Sequence, residues 1–220
     1  MSRCAAVGFV FAGLLTISGT AFADAPRPTV TLVKDGKPTV RIVTAEDPIP
    51  AEETAALELA AYLKKATGGE FAVAAEREHD GKQPAIYLGP TSLAKSHGLD
   101  PADWGPERWA MRTVGNSLIL VGGRPRGTLY AVYHFLEDVV GVRWWNPVEE
   151  HVRSRATLVV EGLDRRGEPR FRYRDIHLLY AHDGGRFDAR NRINCLGFHR
   201  QAVSPDVARP DRASHPQRTA

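Results

Sequence analysis

The chain has 220 residues, 43% hydrophobic and 25% charged, with a formal net charge of +3 and a pI near 9.0. That balance excludes a wholly disordered polypeptide and fits one globular domain with a modest core. The basicity is scattered arginine, with no Lys/Arg run interleaved with aromatics, which argues against a nucleic-acid partner.

The opening stretch, "MSRCAAVGFVFAGLLTISGTAFADA", carries Arg3, an apolar run over residues 5–17 and the small-x-small triplet Ala21-Phe22-Ala23. The pattern predicts a signal peptide over residues 1–23, cleaved after Ala23, and hence a secreted or periplasmic product with no membrane partner after cleavage. The apolar run is too short for a comfortable membrane span. A lipoprotein anchor is the rival reading, but Cys4 precedes the apolar run instead of following it. The mature chain keeps only Cys195, so it has no internal disulfide.

Two β-rich runs, 29–33 and 39–44, flank Asp35-Gly36 and predict a hairpin. In "PIPAEETAALELAAYLKKATGG" the period changes: Ala56, Leu59, Ala60, Leu63 and Ala66 share one helical face. Glu52 and Glu53 stand in the first turn, Lys64 and Lys65 in the last, and Gly68 supplies the stop. Strands are expected over 71–75 and 85–89, a short helix over 92–97, and a hairpin about Gly115-Asn116. The next helix places Leu129, Val132, Tyr133, Leu136 and Val140 on one face and ends at Gly141, and a last strand covers 156–162. The order predicts an α+β fold, a mixed sheet with helices packed on one face.

"GGRPRGTLYAVYHFLEDVVGVRWW" joins an apolar run to a helix through a glycine-rich turn, the general shape of a phosphate cradle. It has neither Gly-x-Gly-x-x-Gly nor a closing Gly-Lys-Ser/Thr, and Pro125 removes an amide donor. The structural alternative has Gly122 and Gly123 ending the strand, Pro125 opening the helix and Gly127 letting helix and sheet approach. A nucleotide-binding enzyme using the 122–127 loop is therefore the weakest of three functional readings, and no cofactor is expected.

The block "GGRPRGTLYAVYHFLEDVVGVRWWNPVEE", with "ELAAYLKKATGGEF" and "AIYLGPTS" before it, resembles the small N-terminal domain that precedes the catalytic barrel in secreted β-N-acetylhexosaminidases and α-glucuronidases. It looks closest to bacterial proteins joining this domain to a barrel of unknown activity. The resemblance covers roughly residues 30–162 and implies a β-hexosaminidase domain-2-like fold that is non-catalytic and packs on a barrel. Residues 24–163 would be that domain, with Trp144 and Trp145 as candidate barrel contacts. Ordinary core packing is the alternative for one of the two rings.

Residues 164–198 would then be the start of a truncated (β/α)8 barrel, with "PRFRYRDIHLL" similar to its first strand. The resemblance implies that Arg174 is a remnant of sugar binding, for which a guanidinium fork suits paired hydroxyls or a uronate. A solvated or ion-paired arginine is the plainer reading. Glycoside hydrolysis needs two carboxyl groups across the scissile bond, or one with substrate assistance. Asp175, Asp183 and Asp188 on one strand and its loop do not build that cleft. His177, His182 and His199 fit no standard ligand spacing, so no metal is expected. From His199 onward the composition turns to Pro, Arg, Ser and Ala, which predicts that residues 199–220 are a disordered or out-of-frame tail, with the reading frame broken near Asn194 or Cys195.

The leading expectation is thus a non-catalytic auxiliary domain of an exported glycoside hydrolase-like protein, inactive alone, with carbohydrate as the partner of the missing barrel. The alternative is a free-standing periplasmic carbohydrate-binding or adaptor module.

Overall fold

The structure is a computed structural model that describes residues 27–176 and 185–194. The expected leader, Cys195, His177, His182, Asp183, His199 and the tail 199–220 lie outside the described residues.

Strand β1 (Thr29–Lys34) turns through Asp35 and Gly36, both at positive φ, into the two-residue β2 (Lys37–Pro38). The expected hairpin exists but is short, its last backbone bond running from the Thr39 amide to the Leu32 carbonyl at 3.0 Å. The rest of the second run leaves as β3 (Arg41–Thr44), which belongs to another sheet. Helix α1 (Pro50–Thr67) has its acids and bases where the sequence places them and ends at Gly68, at φ 80°. Then follow β4 (Val73–Ala75), β5 (Ala85–Leu88) and α2 (Ser92–Ser96), which is capped by the Thr91 hydroxyl accepting from the Ala94 amide. The hairpin about Gly115 is β6 (Trp109–Val114) with β7 (Ser117–Gly122). Helix α3 (Gly127–Phe135) continues as a π-helical turn, Leu136–Val140, to Gly141 at φ 91°. A second small hairpin, β8 (Val142–Asn146) with β9 (Glu149–Val152), precedes β10 (Leu158–Glu161), β11 (Asp164–Gly167) and α4 (Arg186–Arg190).

The main sheet has the order β11-β6-β7-β5-β3-β4. Strands β7, β5, β3 and β4 run parallel, β6 pairs antiparallel with β7, and β11 pairs antiparallel with β6 at the edge. A three-stranded sheet, β10-β1-β2, shares the principal core through Val30, Leu32, Leu158 and Val160. The α+β class and the mixed sheet are as expected. The placement of helices on one face is not: α1 and α3 cover Ile42, Ile86, Leu88, Leu118 and Leu120, while Ala94 of α2 packs with Val43, Tyr87, Ile119 and Val121 on the other face. Parallel strands buried on both sides carry apolar residues at every position, so alternation could not reveal the second layer. Strand β7 is buried along its whole length.

Two further differences lie beyond Gly162. Residues 164–167 form the edge strand of this same sheet, paired with β6. Residues 168–176, where the first barrel strand was expected to begin, contain no strand. A lone strand has no ladder to satisfy its amides and carbonyls, and this stretch takes an irregular path over the domain instead.

Candidate functional site

In open sheets with parallel strands, ligands sit beyond the carboxyl ends of the strands. Here those ends, after β3, β5 and β7, are filled from within the chain. Glu52, buried in the first turn of α1, accepts two bonds from Arg124, Nε to Oε1 at 3.1 Å and Nη2 to Oε2 at 2.9 Å. It also takes the Ile49 amide at 3.0 Å, and Arg124 reaches the Asp47 carbonyl at 2.9 Å. Gly89, at φ 79°, lies against this pair, and a Cβ there would meet the Glu52 carboxyl at 3.3 Å.

The glycine turn is closed to anions as well. The Gly122 amide donates to the Thr128 hydroxyl, Gly123 to the Arg108 carbonyl, Arg126 to the Pro106 carbonyl and Gly127 to the Gly123 carbonyl. These are the donors a phosphate would need. A Cβ at Gly122 or Gly127 would collide with the backbone of the other, so the glycines serve the close approach of α3 to β7. Pro125 does not open the helix, which begins at Gly127.

Arg174 also faces inward. Its Nη2 donates to Glu107 Oε2 at 2.8 Å, its Nε to the Arg192 carbonyl at 2.6 Å and its Nη1 to the Phe171 carbonyl at 2.6 Å. Glu107 is buried and shared: Arg126 reaches its Oε1 at 2.8 Å, and the Asn194 side-chain Nδ2 donates to the same oxygen at 3.1 Å. Asn194 in turn accepts the Arg174 backbone amide at 2.7 Å. Tyr130 lies against the same carboxylate at 3.4 Å. Burial first, then the Glu107 charge, pushes its phenol up to about 12, against the opposing pull of Arg126 and Arg174. The plainer sequence reading, an ion-paired arginine, describes this geometry.

The two tryptophans have different fates. Trp144 is 6% exposed, with its indole N–H donating to the Tyr62 hydroxyl at 2.8 Å and its ring edge-on to Tyr62 and Tyr133. Beside it, Arg190 makes a two-pronged pair with Glu58, at 2.9 and 3.0 Å, and lies over the Tyr62 ring. Tyr62 donates to Glu150, which Lys65 also reaches at 2.6 Å. Burial would raise the Glu150 carboxyl, but the bonds from Lys65 and Tyr62 outweigh it and hold the group low. Trp144 is therefore core. Trp145 is 58% exposed, on the outer face of the β8–β9 hairpin, stacked beside His151 at 5.9 Å.

Among the described residues, His134, Glu137 and Asp138 bring metal-ligating atoms nearest together. Both carboxylates already face arginines, Glu137 with Arg192 and Asp138 with Arg165. His134 stacks on Trp109 at 4.3 Å, and burial, reinforced by the Arg192 charge, lowers it to about 4 despite Asp138 and Glu137. Asp188 is buried on α4.

Sequence reasoning missed Glu58, Glu107, Glu137, Arg190 and Arg192. Glu58 reads as an ordinary solvated helix position and Glu107 as a loop acid.

With this geometry in hand, the likeness to solved proteins is informative about fold. Part of a GH115 4-O-methyl-α-glucuronidase with specificity for decorated arabinogalactans superposes with a TM-score of 0.59 at 14% identity, covering 80% of this chain and 28% of that one. The chain shares the fold of that part of the enzyme. A GH20 β-N-acetylhexosaminidase from Streptomyces coelicolor A3(2) aligns at a TM-score of 0.41 and 17% identity, over 67% of this chain and 25% of that one. A Streptomyces plicatus β-hexosaminidase aligns at 0.41 and 16%, over 67% and 24%. The chain thus spans less than a third of each of these enzymes. No family model and no curated protein matches the sequence.

Proposed function

We propose that this chain is the non-catalytic auxiliary domain of an exported glycoside hydrolase-like protein, of the kind that precedes the barrel in α-glucuronidases and β-N-acetylhexosaminidases, with carbohydrate handled by a barrel outside the described residues. The observation that carries this reading is the inward engagement of the polar groups: Glu52, Glu107, Arg124 and Arg174 bind one another's loops and not a solvent-facing cleft. Such groups position backbone and do no acid–base work on a substrate. The likeness to the α-glucuronidase supports the fold behind the reading.

The test is a panel of aryl α- and β-glycosides, including glucuronides and N-acetylglucosaminides, incubated with the purified chain. No release of the aryl group above the buffer rate is expected, and turnover abolished by Glu107→Gln would overturn the reading. Export is tested separately: the secreted product should begin at Asp24.

A second reading, a free-standing carbohydrate-binding or adaptor module, is favoured by the exposed indole of Trp145, since aromatic faces stack on pyranose rings. It requires affinity on a glycan array that Trp145→Ala removes. The auxiliary-domain reading expects no such affinity.

A further inference from the structure

Three arginines on the segment that follows the sheet each end on a different glutamate of the sheet-and-helix body. Arg174 meets Glu107 in the loop before β6 at 2.8 Å, Arg190 meets Glu58 on α1 at 2.9 Å, and Arg192 meets Glu137 on the π turn after α3 at 2.5 Å. The three arginine side chains are only 17–19% exposed, and their glutamates lie between 9% and 25%.

The sockets are shaped for guanidinium and not for positive charge in general. Glu58 takes Arg190 through two parallel bonds, with the Tyr62 ring 5.2 Å and the Trp144 ring 6.0 Å from the guanidinium carbon. A planar fork that both chelates and stacks is what arginine offers and lysine does not. Glu107 already holds Arg126, and Tyr130 lies 6.0 Å beneath Arg174. The backbone is bent to serve the arrangement: Arg192 is one of two non-glycine residues at positive φ among the described residues, at 56°, which sends it to Glu137 while Arg190 goes to Glu58. Phe187 and Ala189 add apolar anchorage to the principal core, and the sockets are cross-linked, because the Arg174 Nε donates to the Arg192 carbonyl.

We propose that Glu58, Glu107 and Glu137 form a three-socket surface for arginine side chains, and that its partner is this chain's own pair of stretches 171–176 and 185–194, bonded to each other through Arg174 and Asn194 and held as one cooperative clasp. The two stretches are then docked together on the body, and Arg174 is a positioning residue. This inference does not rest on the carbohydrate reading and stands or falls separately from it.

Trypsin tests it on the intact chain, because the protease must draw the same guanidinium groups into its own acidic pocket. Under native conditions, cleavage after Arg153 and Arg170, both exposed and outside the clasped stretches, should outpace cleavage after Arg174, Arg190 and Arg192 by about tenfold or more, read by mass spectrometry of timed samples. Glu58→Gln should speed cleavage after all three clasped arginines together, while circular dichroism stays that of the parent. If that variant does not fold, Arg190→Gln makes the same test from the segment side, and cleavage after Arg174 and Arg192 should rise. Equal native rates at all five arginines overturn the proposal, as does acceleration confined to the socket that was altered.

Discussion

Strand β7 is buried from Ser117 to Gly122 between two ladders and two apolar layers, whereas the described stretches 171–176 and 185–194 meet the same core through Ile176, Phe187 and Ala189 and the body's acids through Arg174, Arg190 and Arg192. Apolar packing carries no charge for salt to screen and tolerates volume-conserving swaps among large apolar side chains. A partly buried guanidinium–carboxylate pair depends on both partners, and removing one leaves the other desolvated and uncompensated. The two regions should therefore fail under different insults.

The largest effect is expected where the body packs. Trp144→Ala, which empties the ring between Tyr62 and Tyr133 and removes its bond to the Tyr62 hydroxyl, should lower unfolding free energy by roughly 3–5 kcal/mol in denaturant titration. If the loss were confined to exchange protection of 171–176 and 185–194, the division between the two regions would break. Next comes Glu107→Gln, which strips charge from a carboxylate facing Arg126 and Arg174. A loss of roughly 2–4 kcal/mol is expected, with protection of 171–176 and 190–194 falling before that of β5 and β7 in hydrogen exchange.

Acid should act through His134. In the fold its imidazole sits at about 4, against 6.5 for the free side chain, so between those values the unfolded chain binds a proton that the native one refuses. The stability that the neutral ring contributes is complete above about pH 6.5 and is lost as pH falls toward 4, on the order of 2–3 kcal/mol. His134→Gln should flatten that slope in melting curves taken across this window. The smallest effect belongs to Trp145→Ala on the outer face of the β8–β9 hairpin, expected within about 0.5 kcal/mol of the parent in the same titration. That contrast with its neighbour sharpens the assignment of one ring to the core and the other to the surface.

Helix α1 was legible because its face, its charges and Gly68 all carry local signals, and the β6–β7 hairpin was legible for the same reason. The exit of β3 from the first hairpin was not, since run 39–44 looks alike whether it pairs with β1 or crosses to another sheet. Helix α3 shows one apolar face in sequence, yet residues 127–133 are all buried, because β6, β7 and α1 pack on it while Trp144 lies against Tyr133 and Arg174 against Tyr130. The candidate site was the least legible part. Arg174 was singled out as a donor to sugar, but its partner Glu107 is 67 residues away, and nothing local marks the two for each other.

The most direct measurement is the calorimetric melting temperature of Arg174→Met, which keeps the apolar stem and removes the guanidinium. If this arginine holds the segment to the body, the loss of its bonds to Glu107, Arg192 and Phe171 should lower the melting temperature by roughly 3–10 °C. An unchanged melting temperature would contradict the account and return Arg174 to the role of a residue kept for a ligand.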